Sequence, residues 1–252
     1  MYDRNRVCII IPAFNEEKTI LDAITRAKNY GVVIVVDDGS KDATRLMAMK
    51  AGVDVVSHSR NLGYSAALRT GYLHSTKEVI TILDADMQQV PEEVPKLVSP
   101  IMEGKADMVI GSKFKGRLEY RPNIPNLVMD KSVCLIMRLR YGIKLSNSFS
   151  GFRALRKSCI DLDFLSGDRH TAMVELDFLF AQRRHRIIEV PRTAKKRKYG
   201  KSSVRFKDGL AISKRVMELL VRKDKETSAN SSESESSQKF NGPQGERVES
   251  AA

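Results

Sequence analysis

The chain has 252 residues, 42% of them apolar and 29% charged, a balance that suits one substantial globular α/β domain. Its formal charge of +12 points to anionic partners such as phosphorylated substrates or an anionic membrane surface. Nucleic acid is set aside: only Tyr199 and Phe206 lie near the basic runs Lys195-Lys196-Arg197-Lys198 and Arg205 to Lys225, without the interleaved aromatics that base stacking needs.

No stretch approaches the roughly 18 uncharged apolar residues of a membrane span. The N-terminal apolar run passes directly into Pro12 and Asn15-Glu16-Glu17, unlike a signal peptide, so a cytoplasmic protein is expected. Cys8, Cys134 and Cys159 are scattered and odd in number, which suggests neither a disulfide framework nor a zinc site.

In chain order, short runs rich in Val and Ile predict strands at 7–11, 32–36, 53–57, 78–83 and 107–111. Between them, amphipathic stretches predict helices near 16–29, 41–51, 64–76 and 91–103, the last opened by Pro91-Glu92-Glu93. This alternation implies right-handed βαβ units and an open, mainly parallel, Rossmann-like sheet flanked by helices. From 113 to 150 the pattern loosens, with a helix expected over 127–141. A helix at 171–184, a strand at 187–190 and a basic amphipathic helix at 204–223 follow. The domain division expected is a catalytic domain over 1–203, the C-terminal helix over 204–225, and a disordered tail over 226–252 whose Ser, Glu, Gln and Gly offer too little apolar surface to offset ordering entropy.

Ligands of open α/β sheets bind at the carboxyl ends of the strands, so the polar residues there are the candidates for chemistry. In ILDADMQQ, Asp84 and Asp86 stand two apart after a buried run, so an extended chain turns both carboxylates toward one side. Oxygen ligands of this kind suit Mg²⁺ or Mn²⁺, with coordination positions left for substrate phosphates, and the Gln88 amide oxygen is a further ligand candidate. VVDDGS supplies Asp37 and Asp38, either for a base or ribose or for an Asx-type turn. Glu16 and Glu17 follow Pro12 and Ala13 as possible site residues or as helix-start acids. Gly63 precedes a helix where backbone can approach a nucleotide closely.

These segments, in order, resemble the family 2 glycosyltransferases with the GT-A fold, and within them the dolichyl- or polyprenyl-phosphate sugar synthases. The resemblance rests on IPAFNEE, VVDDGSKDAT, NLGYSAALRTG, LDADMQQVPEEVPKL, DMVIGSKF, SGFRAL and RKYGKSS, and spans residues 5–205. It implies an inverting, metal-dependent transferase that moves a hexose, mannose or glucose, from a GDP- or UDP-sugar to a dolichyl or polyprenyl phosphate. Pro12, Ala13 and Glu16 would line the base pocket and Asp38 would contact the base. Asp84 would hold the nucleoside, and Asp86 with Gln88 would bind the metal. Arg117 and Lys131 are the nearest candidates for phosphate binding, and Arg197, in a pattern continued by Ser202, would reach toward phosphate from the C-terminal segment.

Departures from the family pattern are Asn147 for a usual Asp, Lys113 for a common Arg, and Gln89 for a frequent His. Arg153 and Glu175 read equally as site residues or as structural anchors. A phosphate acceptor is already anionic and needs no general base, which agrees with four dispersed histidines, His58, His74, His170 and His185. Lipid acceptors imply peripheral attachment at the cytosolic face of a membrane, either through the helix at 204–223 or through an integral-membrane partner. Alternatives are transfer to a soluble or polysaccharide hydroxyl, nucleotidyl transfer, and a non-enzymatic nucleotide-binding or membrane-adaptor role.

Overall fold

The computed structural model describes residues 2–163, 165, 171–199 and 206–221. Ser202, His170 and the expected tail at 226–252 lie outside the described residues. One compact unit spans Met1–Leu219; of the second, Leu220–Ala252, only Leu220 and Val221 are described.

The five apolar runs form β1 (Val7–Ala13), β2 (Val32–Asp37), β3 (Asp54–Ser57), β4 (Val79–Ile82) and β5 (Met108–Ser112), and the later run forms β7 (Ile187–Pro191). Every residue of β1, β4 and β5 is buried, which is why these strands read as continuous apolar sequence and not as alternation. The sheet has seven strands in the order β3-β2-β1-β4-β6-β5-β7. β1 pairs in parallel with β2 (Cys8 opposite Val32) and with β4 (Val7 opposite Val79). The remaining strand, β6 (Arg153–Arg156), is not among those the apolar pattern predicts; it lies antiparallel between β4 and β5. Its sequence, Arg-Ala-Leu-Arg, is too short and too basic to read as a buried strand, and its burial depends on partners far along the chain.

Helices α1 (Ile20–Ala27), α2 (Thr44–Lys50), α3 (Tyr64–His74), α4 (Val94–Met102), α5 (Ile124–Tyr141), α6 (Ala172–Gln182) and α7 (Phe206–Val221) complete the unit. Because side chains alternate across a strand, Val7, Ile9 and Ile11 of β1 share one core cluster with Ile20 and Ile24 of α1 and with Leu97 and Ile101 of α4. Ile10 faces the opposite side and packs on α3, where a Cβ at Gly71 would lie 2.5 Å from its Cγ2, so glycine sets that close approach. The expected helix at 91–103 begins as a 3₁₀ turn at Pro91–Glu93 before α4.

The basic amphipathic helix expected at 204–223 is α7, and its apolar face is buried through Ile212, Val216 and Leu219. Arg215 Nε donates to Glu175 Oε1 at 2.7 Å and Gln182 Nε2 donates to the Leu219 carbonyl at 3.1 Å, which ties α7 to α6. The compact unit therefore takes in most of a helix that the sequence suggested as a separate appendage.

Candidate active site

The carboxyl ends of β1 and β2 lie side by side, with Ala13 opposite Asp37 and the Asp38 amide donating to the Ala13 carbonyl at 2.8 Å. Pro12 and Ala13 thus border the turn that Asp37 closes by accepting from the Ser40 amide at 3.2 Å. Asp38 is buried, and its carboxylate accepts from the amides of Leu62 and Gly63, each at 2.8 Å, with His58 Nδ1 also 2.8 Å away. His58 Nε2 lies 2.9 Å from Thr70 Oγ1, so both ring nitrogens of this histidine are engaged. Asp38 thereby anchors the loop before α3, in which Gly63 adopts a φ of 104° that side-chain-bearing residues rarely tolerate.

After β4 the chain turns through Met87, at a φ of 61°, and folds back on itself. Tyr64 donates its hydroxyl to Asp84 Oδ1 at 2.9 Å, the Gln89 side-chain amide donates to Asp84 Oδ2, and the Asp84 amide donates to Gln89 Oε1 at 3.0 Å. Gln89 in the place of the common His therefore satisfies both ends of Asp84. Burial pushes the Asp84 carboxyl up to about 7, and the neighbouring Asp86 charge adds to the effect. A Cβ on Gly151 would lie 2.9 Å from the Tyr64 hydroxyl and 3.0 Å from Asp84 Oδ2, so the glycine admits this carboxylate.

Asp86 Oδ1 accepts from the Gln88 amide at 3.0 Å. Gln88 and Lys195 exchange bonds, Gln88 Nε2 to the Lys195 carbonyl at 3.3 Å and the Lys195 amide to the Gln88 carbonyl at 2.9 Å. This couples the turn to the segment that carries Arg197. The Arg197 guanidinium pairs with Glu16 and lies 3.7 Å from Asp86 Oδ2. Burial raises the Glu16 carboxyl, Arg197 opposes that rise, and Asp86 adds to it. The fold thus gathers Glu16, Asp84, Asp86, Gln88 and Arg197, which the sequence places up to 181 residues apart.

A cationic group, Lys113, Lys131 and Arg192, is linked to these acids through the charge of Arg192. Lys131 Nζ donates to the Ser146 carbonyl at 2.7 Å and sits 4.0 Å from the centre of the Phe114 ring. Lys113 Nζ lies 5.2 Å from the same ring and 5.9 Å from that of Tyr120, and burial lowers its pKa. Among the described residues neither ammonium forms an ion pair. Arg192, also buried, donates to the carbonyls of Gly111 at 3.1 Å and Thr193 at 3.3 Å, and its charge bears on Asp84 and Asp86. Sequence reasoning marks Lys113 only as a departure and misses Arg192 altogether, because no local pattern singles out an arginine just past the end of a late strand. Arg117, by contrast, is 79% exposed at its side chain and faces Glu119 at 3.9 Å; the structure does not bring it into the Lys113–Lys131 pair.

Behind the cations, Asp130 is buried and fully engaged. It accepts from the Phe149 amide at 3.0 Å and from Asn147 Nδ2 at 2.9 Å. An aspartate at 147 would set two carboxylates against each other here, whereas asparagine donates. Arg153 is a structural anchor: entirely buried, it bonds to Asp177 Oδ1 at 2.8 Å and to the carbonyls of Ser148, Ser150 and Met173. Glu175 belongs to the α6–α7 contact through Arg215.

Three comparisons bear on this site. The family model for glycosyl transferase family 2 matches residues 8–162. Protein MJ1222 of Methanocaldococcus jannaschii, which is uncharacterised, is 33% identical over 199 residues, covering 75% of this chain and 81% of that one. The undecaprenyl-phosphate 4-deoxy-4-formamido-L-arabinose transferase of Salmonella paratyphi B is 28% identical over 214 residues, and the match takes in 80% of this chain but only 63% of the relative. Among solved structures, glucosyl-3-phosphoglycerate synthase of Mycobacterium tuberculosis, in complex with Mn²⁺, UDP and phosphoglyceric acid, superposes with a TM-score of 0.63. That likeness, at 22% identity over 86% of this chain and 78% of the other, establishes the GT-A fold. The same synthase with Mg²⁺ and UDP gives a TM-score of 0.61. With motifs, topology and family model in agreement, the chain belongs to glycosyl transferase family 2.

Proposed function

We propose that the protein transfers a hexose, mannose or glucose, from a GDP- or UDP-sugar to a dolichyl or polyprenyl phosphate, with inversion at the anomeric carbon. The observation that carries this reading is the division of the site into an acidic half, Glu16, Asp84 and Asp86, and a cationic half in which Lys113 and Lys131 share one aromatic ring and, among the described residues, neither ammonium forms an ion pair. Two such ammonium groups suit a phosphate, and the sequence relative that names an undecaprenyl phosphate supports that acceptor class.

The residues present fit a hard divalent cation. Among the described residues no three His, Cys, Asp or Glu side chains converge on one point, so the chain offers the Asp86 carboxylate, with Gln88 beside it, and leaves the remaining positions to diphosphate oxygens. Mg²⁺ or Mn²⁺, held by Asp86 and Gln88, would offset the negative charge of the departing nucleoside diphosphate. Pro12 and Ala13 would border the base, with Asp38 acting through the loop it anchors and Gly63 offering close backbone approach. Asp84 would hold the nucleoside, fixed in place by Tyr64 and Gln89. Arg197, and Ser202 beyond it, would turn toward the diphosphate once donor is bound.

Lys113, Lys131 and Arg192 would orient the acceptor phosphate, whose oxygen attacks the anomeric carbon directly. A hydroxyl acceptor would need a base, and Asp130 is already committed to Asn147 and Phe149. The lipid acceptor implies peripheral attachment at the cytosolic face of a membrane, by the protein itself or through an integral-membrane partner.

The test is a panel of labelled GDP- and UDP-sugars with polyprenyl phosphate and Mg²⁺ or Mn²⁺, followed by organic extraction. Label in the organic phase, lowered about 100-fold or more by Asp86→Asn in a protein that melts normally, is the expected result. Label only in the aqueous phase, or an Asp86→Asn variant as active as wild type, overturns the assignment.

A further inference from the structure

Ile212, Val216 and Leu219 of α7 are buried, whereas α5, the helix that carries Lys131, presents an exposed apolar surface. Ile124, Val128, Leu135 and Leu139 are 73%, 59%, 54% and 77% exposed. Residues of a helix advance by about 100° each, so these four fall in one stripe about 60° wide, and it runs for about 22 Å. The opposite face of α5, Val133, Cys134 and Met137, holds the helix to the domain. The stripe is therefore spare surface on a helix whose packing is already complete.

Charge decides what covers it. Between Arg121 and Lys144 stand five basic residues, Arg121, Lys131, Arg138, Arg140 and Lys144, and one acid, Asp130, which is buried. Lys131 and Arg138 flank the stripe on one side. A second copy of the chain docked on this face would set cations against cations with no carboxylate to meet them, whereas anionic headgroups answer them directly. Apolar residues that enter the acyl boundary beside cations at headgroup level are the physical signature of an interfacial helix. Lys131, level with the middle of the stripe, also belongs to the Phe114–Ser146 side of the site, so a lipid phosphate held there would lie beside the stripe.

We propose that α5 is the membrane-docking surface: it lies in the interface of an anionic bilayer and presents the headgroup of a lipid phosphate to Lys113 and Lys131. The identity of that headgroup rests on the function proposed above; the docking surface does not.

The test uses the full-length protein in flotation with phosphatidylcholine vesicles, with or without phosphatidylglycerol. Wild type floats with anionic vesicles. Leu135→Glu/Leu139→Glu lowers its partition at least ten-fold, and Arg138→Gln lowers it roughly five-fold on anionic vesicles alone. Met217→Glu, at a comparably exposed position on α7, leaves binding and melting unchanged. The double variant keeps transfer to a short, water-soluble prenyl phosphate and loses transfer to a long-chain one in vesicles.

Absence of flotation by wild type at low salt overturns the surface, as does a double variant that floats like wild type. So does a wild-type dimer in light scattering that the double variant dissolves, since it would mark α5 as a self-association face. If flotation depends on α5 but no prenyl phosphate accepts sugar, the surface stands and the acceptor assignment falls. If sugar passes to lipid phosphate while flotation is independent of α5, the acceptor assignment stands and the surface falls.

Discussion

Gly151→Ala isolates the geometry of the proposed donor site, because it alters no polar group. Its added methyl would sit 2.9 Å from the Tyr64 hydroxyl and 3.0 Å from Asp84 Oδ2, about 0.4–0.5 Å inside the 3.4 Å of ordinary contact. Asp84 cannot swing away freely, since Tyr64 and Gln89 hold its two oxygens. The carboxylate and the tyrosine must therefore move by a few tenths of an ångström. A misplacement of about 1 Å can cost about 100-fold in rate, so a shift near half that size should lower kcat/KM for the donor about ten-fold, about 1.4 kcal/mol. The assay is steady-state release of nucleoside diphosphate at saturating acceptor, with thermal melting in parallel. Tyr64→Phe removes the nearest clashing atom, so the double variant should lose less than the product of the two single losses. A Gly151→Ala enzyme within two-fold of wild type would refute the claim that Asp84 is held in a fixed position for the donor.

Two further predictions concern stability. Hydrogen bonds from Arg186, with help from Arg156, hold the Asp107 carboxyl down at about 2 against an ordinary 3.8. A depressed folded-state value means stabilisation that is present above about pH 4 and lost as pH falls toward 2. Because the Arg186 side chain is exposed, solvent screening keeps this contribution well below what the shift alone would give. Denaturant melts should show Asp107→Asn less stable than wild type at pH 7 and equal to it near pH 2; parallel pH profiles would contradict this. Arg153→Met leaves Asp177 buried without its ion-pair partner and should cost about 3–5 kcal/mol, while Arg153→Met/Asp177→Leu should recover part of it. A single variant that loses under 1 kcal/mol would show that the pair contributes little.

The sequence is most legible where burial is two-sided. β1, β4 and β5 announce themselves as unbroken Val and Ile because both faces are covered. β6 is hidden because Arg153 lies in the core only by virtue of Asp177, 24 residues on, a pairing no local pattern encodes. The acidic half of the site is legible because Glu16, Asp84 and Asp86 each follow a recognisable strand. The cationic half is legible only in part: Lys131 is a candidate from the sequence, whereas Lys113 reads only as a departure and Arg192 carries no local signal, and they come from a helix, a strand end and a late loop. Arg117, chosen from the same region by sequence position, is exposed to solvent. Asp38 shows a further limit, since a turn residue and a ligand-facing residue carry the same letters until the donors around the carboxylate are known.

The reversed strand has an architectural consequence. β5 ends at Ser112 and β6 begins at Arg153, and because the two are antiparallel, with Ile110 opposite Arg153, both points lie at the same edge of the sheet. Everything between them, including α5 and Lys131, is a closed excursion that leaves and re-enters the scaffold at one doorway. The excursion is tied back to the scaffold at both ends: Leu118 bridges Ala194, and Gly151 abuts Tyr64 and Asp84. A chimera that exchanges only residues 120–146 leaves both of those contacts in place, so it tests whether this excursion alone sets the acceptor.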